Sequence, residues 1–115
     1  MELLKKLETL KFELVGKVFE YYVFKTQAFF DFDGSPTSIP STVLNIRNPK
    51  GENLGYLIFR KNGENKYGKP HYYGETFTPT NAKKTSPLRD KKMIQLLLYH
   101  FAEEPIYITK VSYKD

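Results

Sequence analysis

The sequence predicts a mainly β fold in a single domain spanning residues 1–115. We expect an antiparallel, barrel-like sheet of five or six strands, with a short N-terminal helix and one amphipathic helix before the last strand. Three observations lead there. Apolar residues alternate with period two over several segments, turn-forming residues recur at intervals of roughly 8–12 residues, and no β-α-β rhythm is present. A chain of 115 residues has room for one domain with a real core.

The N-terminal third predicts one helix and two strands. Leucines at helical spacing predict a short helix over residues 2–10. From Phe12 to Phe24 apolar residues occupy both faces of a period-two pattern, so we expect one long strand that is either covered on both faces or bends between two parts of a barrel. Gly16 within it predicts a bend or a bulge. A second strand, Thr26–Phe32, ends at the turn-forming residues 33–36, and the Pro- and Ser-rich stretch Ser35–Ser41 predicts a loop.

The central third predicts a β-hairpin and a fifth strand. Thr42–Arg47 and Leu54–Arg60 are strand-like and flank a Pro- and Gly-containing turn. Residues 61–65 predict another turn, followed by a mobile segment over 66–70 and a strand over His71–Thr78. The stretch 78–87 holds two prolines and predicts a loop.

The C-terminal third carries the clearest helix signal. Ser86 is a suitable cap and Pro87 suits the first turn of a helix. The apolar stripe consists of Leu88, Ile94, Leu97, Leu98 and Phe101. Residues 103–105 predict the end of this helix, and Ile106–Tyr113 alternates as a closing strand.

All of the excess positive charge lies in the middle of the chain. Residues 42–92 hold eleven Lys and Arg against four acids, a balance of +7, whereas each flank is −1, which together give the net +5. Cations displace condensed counterions from polyphosphate, and aromatic rings accept unstacked bases. Because several tyrosines are interleaved with these cations, single-stranded nucleic acid is the leading predicted partner. The simpler, competing interpretation of the charge excess is a basic surface that only contacts solvent.

The predicted nucleic-acid-binding residues divide by chemistry. Those expected to meet phosphates are Arg47, Lys50, Arg60, Lys61, Lys66, Lys69, Lys83 and Lys84. A subset of Tyr56, Tyr67, Tyr72 and Tyr73 is expected to stack on bases, and His71 to stack or bind phosphate. We expect these side chains to converge into one continuous groove. The competing interpretation for the tyrosines is an edge strand that packs against a partner subunit.

Several functional classes lack support in the sequence. The chain has no cysteine, which excludes disulfides, thiolate metal sites and a cysteine nucleophile. Its two histidines lack partners at ligand spacing, and Asp31-Phe32-Asp33-Gly34 predicts a turn because no further calcium ligands follow it. No catalytic or nucleotide-binding motif occurs, so we expect no enzyme, no catalytic residues, no cofactor and no metal. Without a leader-like or membrane-spanning segment, a cytoplasmic location is expected.

One segment and the general plan of the chain carry a family resemblance. The segment Leu14-Val15-Gly16-Lys17-Val18-Phe19-Glu20 resembles the first barrel strand of OB-fold proteins, in which a glycine lets a long strand curve. Size, aromatic strands, a basic middle and the absence of cysteine resemble small phage-encoded single-stranded DNA-binding proteins. One departure is the helix, which an OB barrel usually places between its third and fourth strands.

The resemblance implies an OB-like domain that coats single strands during DNA replication or recombination. It also implies a homo-oligomer, a dimer or higher, acting in the host cytoplasm, with Arg47, Tyr56 and Arg60 along the strand-binding face. The predicted function is therefore single-stranded DNA binding without strong sequence preference. The alternative is a small phage-type interaction or inhibitor protein that docks on an acidic host protein surface.

Overall fold

A computed structural model describes residues 2–64, 66–102 and 108–114. Over these ranges the chain forms two α-helices, six strands, and two three-residue 3-10 turns at Thr80–Ala82 and Pro87–Arg89. The helices are α1 (Glu2–Glu8) and α2 (Lys91–Phe101). The strands are β1 (Glu13–Val18), β2 (Tyr21–Phe30), β3 (Pro36–Arg47), β4 (Asn53–Glu64), β5 (Pro70–Phe77) and β6 (Ile108–Lys114).

The six strands form one sheet in which their spatial order equals their order in the chain. Strands β1 to β5 pair antiparallel, as the sequence predicts, and they follow one another as a meander, whereas β6 runs parallel to β5. The expectation of a fully antiparallel sheet is wrong for β6, because α2 carries the chain back across the sheet before that strand starts. Within the described ranges β1 and β6 are the two edges and do not pair, so the sheet is open.

The sheet is buried on both faces, each covered by one helix. On the α2 face, buried residues of the sheet pack against the apolar stripe of the helix; they include Leu44, Ile46, Leu57, Phe59, Ile94, Leu97 and Leu98. On the α1 face, a second cluster contains Leu3, Leu7, Ala28, Val43, Tyr56, Ile58 and Phe77. Because a helix covers each face of the sheet, β3 and β4 carry apolar residues that point to both faces.

Helix α2 starts later than the sequence predicts. The hydroxyl of Ser86 does accept a hydrogen bond from Leu88 N (3.2 Å), but it caps the 3-10 turn that begins at Pro87. The helix itself starts at Lys91, and its cap is Asp90, whose carboxylate accepts from Lys92 N at 2.9 Å. Lysines at the N-terminus of a helix are repelled by the positive end of the helix dipole, and the Asp90 carboxylate offsets part of this repulsion.

The N-terminal strand is divided by a turn that the sequence does not signal. One long strand over residues 12–24 is predicted, but the chain reverses at Phe19 and Glu20 to form the β1–β2 hairpin. Phe19 has φ +54°, a left-handed conformation that bulky residues rarely adopt. The prediction is wrong because tight turns of this kind normally carry Gly, Asn or Asp, and this one carries none of them.

The predicted irregularity at Gly16 is confirmed. The pairing of β1 with β2 shifts register between Leu14 and Gly16, which is a β-bulge. A Cβ atom at Gly16 would lie 2.8 Å from Cε1 of Phe101 at the end of α2. The glycine therefore lets the helix end approach the edge strand closely.

Strands β3 and β4 are longer than predicted. Ser35–Ser41, predicted as a loop, belongs mostly to β3, and residues 61–64, predicted as a turn, extend β4. The prolines 36 and 40 are tolerated because the start of β3 pairs only with β2; pairing with β4 begins at Thr42. Proline has no backbone N–H to donate, and on the side of β3 that has no neighbouring strand no such hydrogen bond is lost.

Candidate nucleic-acid interface

The predicted cations lie at two opposite ends of the sheet. In a meander, successive turns alternate between ends, so the β3–β4 turn and the β4–β5 turn are separated by the length of β4. Asn53 and Lys61, near the two ends of that strand, are eight residues apart, or about 26 Å at the usual strand rise. The prediction of one continuous groove is therefore wrong, and each end has to be considered by itself.

The β4–β5 end holds a projecting basic segment. We call residues 61–64 and 66–71 the basic hairpin. Lys61, Lys66, Tyr67 and Lys69 are all exposed, and His71 is half-buried. Tyr67 is 74% exposed, and the Lys66 ammonium lies 5.1 Å from its ring centroid. A cation and an aromatic face are thus presented together to solvent.

The basic hairpin is not paired with β3. The pairing of β4 with β3 ends at Thr42–Phe59, whereas β4 and β5 remain paired through Glu64 and Pro70. Gly63 and Gly68 have φ values of +77° and +73°, which glycine adopts readily. The side chains of Lys61, Lys66, Tyr67 and Lys69 are thus exposed to solvent and are not covered by apolar packing.

The charge of Arg60 is engaged inside the molecule. Its guanidinium lies 3.1 Å from Asp31 Oδ1 and 5.2 Å from the centroid of the Phe32 ring. Phe32 in turn contacts Tyr73 edge to face at 5.0 Å, and the Tyr73 hydroxyl donates to Glu75 Oε1 at 3.0 Å. Arg60 and Tyr73, both half-buried, therefore tie the β2–β3 turn to the sheet.

Arg47 has a structural role at the other end of the sheet. Its Nε donates to Asn45 Oδ1 at 3.0 Å, and its NH1 donates to Gly51 O at 2.7 Å. These bonds hold the β3–β4 turn, where Lys50 is exposed. Arg47 is thus committed to the fold, while Lys50 remains on the surface.

Two predicted stacking residues are buried. Tyr56 is 2% exposed and packs against Phe12 with 5.9 Å between ring centroids. Burial raises the pKa of its phenol, whose oxygen accepts from Asn53 Nδ2 at 3.2 Å. Tyr72 is 8% exposed in the cluster under α2. The prediction that these rings meet bases is wrong, since strand alternation turns both toward a helix-covered face.

Lys83 and Lys84 lie beside the β3–β4 turn. Both are exposed and follow the 3-10 turn Thr80–Ala82, whose Ala82 and Asn81 line a pocket with Asn48 and Glu52. They therefore belong with Lys50 and are remote from the basic hairpin.

One aromatic residue was missed by the sequence reasoning. Phe29 is 58% exposed and follows the fully buried Ala28, which belongs to the α1 face. By alternation Phe29 lies on the α2 face, as does Lys61, which pairs with Tyr72. The signal was the neighbouring Phe30, because two successive strand residues point to opposite faces and the two rings could not both join the α1 cluster. At this end of β2 the α2 face is left open, so Phe29 is exposed.

The Asp31–Gly34 segment forms the predicted turn. Gly34 N donates to Asp31 O at 2.8 Å, and Ser35 N donates to the Asp33 carboxylate at 2.9 Å, which lowers the pKa of that carboxyl. Among the described residues no three His, Asp or Glu side chains come together as metal ligands. In the same part of the chain, neither helix has the length and apolar character needed to cross a membrane.

Comparisons with protein-family models, with curated proteins and with solved structures found no match for this chain.

Proposed function

We propose that this protein binds single-stranded nucleic acid, DNA in preference to RNA, without strong sequence preference, and that the basic hairpin is the binding element. The observation that carries the proposal is the exposed Tyr67 ring with the Lys66 ammonium over it, on a projection that also bears Lys61 and Lys69. A base stacked on Tyr67 would place its own phosphate beside a cation. This is the combination by which strands are held without reading their bases.

The binding free energy in this proposal has two parts. The lysines release counterions condensed on the backbone, a contribution that weakens as salt rises. Stacking on an aromatic ring contributes about 1–3 kcal/mol per base and tolerates any base. His71, half-buried at the start of β5, adds a further polar contact at the base of the hairpin.

Fluorescence anisotropy with labelled oligothymidine at two salt concentrations tests the function. We expect micromolar or tighter binding whose logarithm falls with log salt at a slope of about −2, because three lysines each contribute about −0.7 on single strands. An absence of binding at low salt would contradict the proposal.

Replacement of Tyr67 by alanine should weaken oligothymidine binding by about 1–3 kcal/mol, because a stacking surface is lost. The salt dependence should remain unchanged, since no cation is removed. The control is Tyr99→Ala on α2, a tyrosine that is 82% exposed but lies outside the hairpin. Equal losses in the two variants would show that Tyr67 is not the stacking residue.

The wider context of the proposal rests on the resemblance to phage single-stranded DNA-binding proteins. A role in phage DNA replication or recombination and a homo-oligomeric state are its remaining parts, whereas the described strands form an open sheet and not the closed OB-like barrel that the resemblance implies. Binding through a projecting hairpin does not require a closed barrel, so strand binding can be tested separately from fold relationship. Sedimentation of the protein with and without oligothymidine tests the oligomer.

Exposed apolar residues near the β1 edge favour a second candidate, a small interaction protein that docks on an acidic protein surface. Leu14 is 58% and Phe19 is 73% exposed, and such side chains usually gain most from contact with another protein. Capture of a partner from nuclease-treated host lysate distinguishes the two functions, because a protein partner survives the treatment.

A further inference from the structure

A pocket of about 350 Å³ lies at the end of the sheet opposite the basic hairpin. This volume is within the range of small-molecule sites. Its lining residues come from the β1–β2 turn, the β3–β4 turn and the segment after β5; they are Glu20, Tyr21, Asn48, Glu52, Asn53, Leu54, Asn81, Ala82 and Thr85. The strand-binding proposal does not use this pocket.

Two of the lining amides are part of the frame. Asn53 Oδ1 accepts from Asn45 Nδ2 (2.8 Å) and from Gly55 N (2.9 Å), and its Nδ2 donates to a tyrosine hydroxyl. Asn48 Oδ1 accepts from the amides of Lys50 and Glu52 at 3.0 and 2.9 Å. These bonds fix the shape of the β3–β4 turn, so a ligand has to be recognised by the other polar groups.

Those other groups are mainly hydrogen-bond acceptors. Glu20 and Glu52 supply carboxylates; within the described ranges, one oxygen of Glu52 accepts from Asn48 Nδ2 at 3.0 Å, and no other oxygen of the two side chains is engaged. None of the described lining residues is Lys, Arg or His, although the protein is basic overall. A matching ligand therefore presents N–H donors to the pocket.

The remaining lining groups suit a flat heterocycle. The half-buried Tyr21, with Leu54 and Ala82, provides an apolar wall. Asn81 offers both an amide donor and an amide acceptor. Exposed lysines flank the lining residues in the chain, Lys50 inside the β3–β4 turn and Lys83 and Lys84 directly after Ala82.

We propose that this pocket binds the base of a guanine nucleotide, with the phosphate held by the flanking lysines. Guanine carries adjacent N1–H and N2–H₂ donors, which match the two oxygens of one carboxylate. Its O6 and N7 accept from an amide such as that of Asn81. Thymine and uracil offer only one N–H donor, and it lies between two carbonyl acceptors, so a carboxylate facing that edge would gain one hydrogen bond and would also meet unfavourable acceptors.

This inference does not depend on strand binding by the hairpin, because the two sites lie at opposite ends of β4. If the guanine site is absent, oligothymidine binding persists. If strand binding is absent, a free guanine nucleotide still binds here.

Isothermal titration of the full chain with guanosine 5′-monophosphate tests the site. We expect GMP to bind roughly tenfold or more tightly than uridine 5′-monophosphate, since a correct hydrogen-bonding base edge discriminates by about that factor or more. Inosine 5′-monophosphate, which lacks the N2 amino group, should fall between them. Glu20→Gln should weaken GMP binding about tenfold, because Glu20 is the lining carboxylate with neither oxygen engaged by a described residue, and an amide replaces one of its acceptor oxygens by a donor.

The matched control is Glu64→Gln in the basic hairpin, which should leave GMP affinity unchanged. Equal affinity for GMP, IMP and UMP, or no heat of binding with millimolar GMP, would overturn the proposal. The proposal would also be overturned if guanidinium ion bound and GMP did not, a result that would assign the pocket to an arginine side chain of a protein partner.

Discussion

Replacement of Lys61, Lys66 and Lys69 together by glutamate is expected to lower the affinity for oligothymidine roughly tenfold to a hundredfold at about 0.15 M salt. The three side chains are exposed on the basic hairpin, and each phosphate contact on a single strand releases about 0.7 of a counterion. The slope of log affinity against log salt should become shallower by about 2. Anisotropy titrations at four salt concentrations measure both quantities.

The matched control reverses Lys50, Lys83 and Lys84 at the opposite end of the sheet. It changes the net charge by the same amount, and all three residues are exposed. Because the separation of about 26 Å along β4 is several Debye lengths at physiological salt, we expect little change in affinity. Equal losses in the two triple variants would mean that the strand runs across both ends, and the assignment to the hairpin would be wrong.

Substitution of Gly55 by alanine is expected to destabilise the fold by about 3 kcal/mol or more. Gly55 has φ +129°, a conformation essentially restricted to glycine, whose occupation by another residue costs about 1–3 kcal/mol. Its Cβ would also lie 2.8 Å from the carbonyl oxygen of Phe77 and 3.0 Å from Cδ1 of Leu88. Both neighbours are buried, and one contact is to backbone, so β5 would have to shift.

Urea unfolding followed by circular dichroism measures this loss against a matched control. Gly63→Ala also places alanine at positive φ, +77°, but no atom lies within 4 Å of its Cβ. We expect a cost of only about 1–2 kcal/mol there, from the left-handed backbone alone. If the free energy of unfolding falls by the same amount in the two variants, the close approach of β4 to the end of β5 does not contribute to the cost of Gly55→Ala.

Local patterns predicted those elements whose residues interact with near neighbours in the chain. The β3–β4 hairpin has a turn rich in Asn, Pro and Gly between two apolar runs, so the turn and the strands agree. Helix α2 has its apolar stripe at helical spacing, and Ile94, Leu97 and Leu98 are buried as expected. The bulge at Gly16 was likewise predictable, because glycine within a strand has few other uses.

The predictions failed where a distant part of the chain decides the outcome. The turn at Phe19 has no turn-forming residue, and pairing of β1 with β2 supports it instead. The Pro-containing start of β3 is a strand because it pairs with β2 on one side and is without a neighbour on the other. Neither circumstance can be read from the residues themselves.

The amino-acid sequence alone determined the composition of the candidate site, that is, the concentration of cations and tyrosines between residues 42 and 92 and the β character of that region. The tertiary structure decided which of them face solvent together. Strand alternation and the two covering helices bury Tyr56 and Tyr72, while the meander separates Lys61 from Lys83. The physical reason is that periodicity sets which residues share a face, whereas exposure depends on what packs against that face.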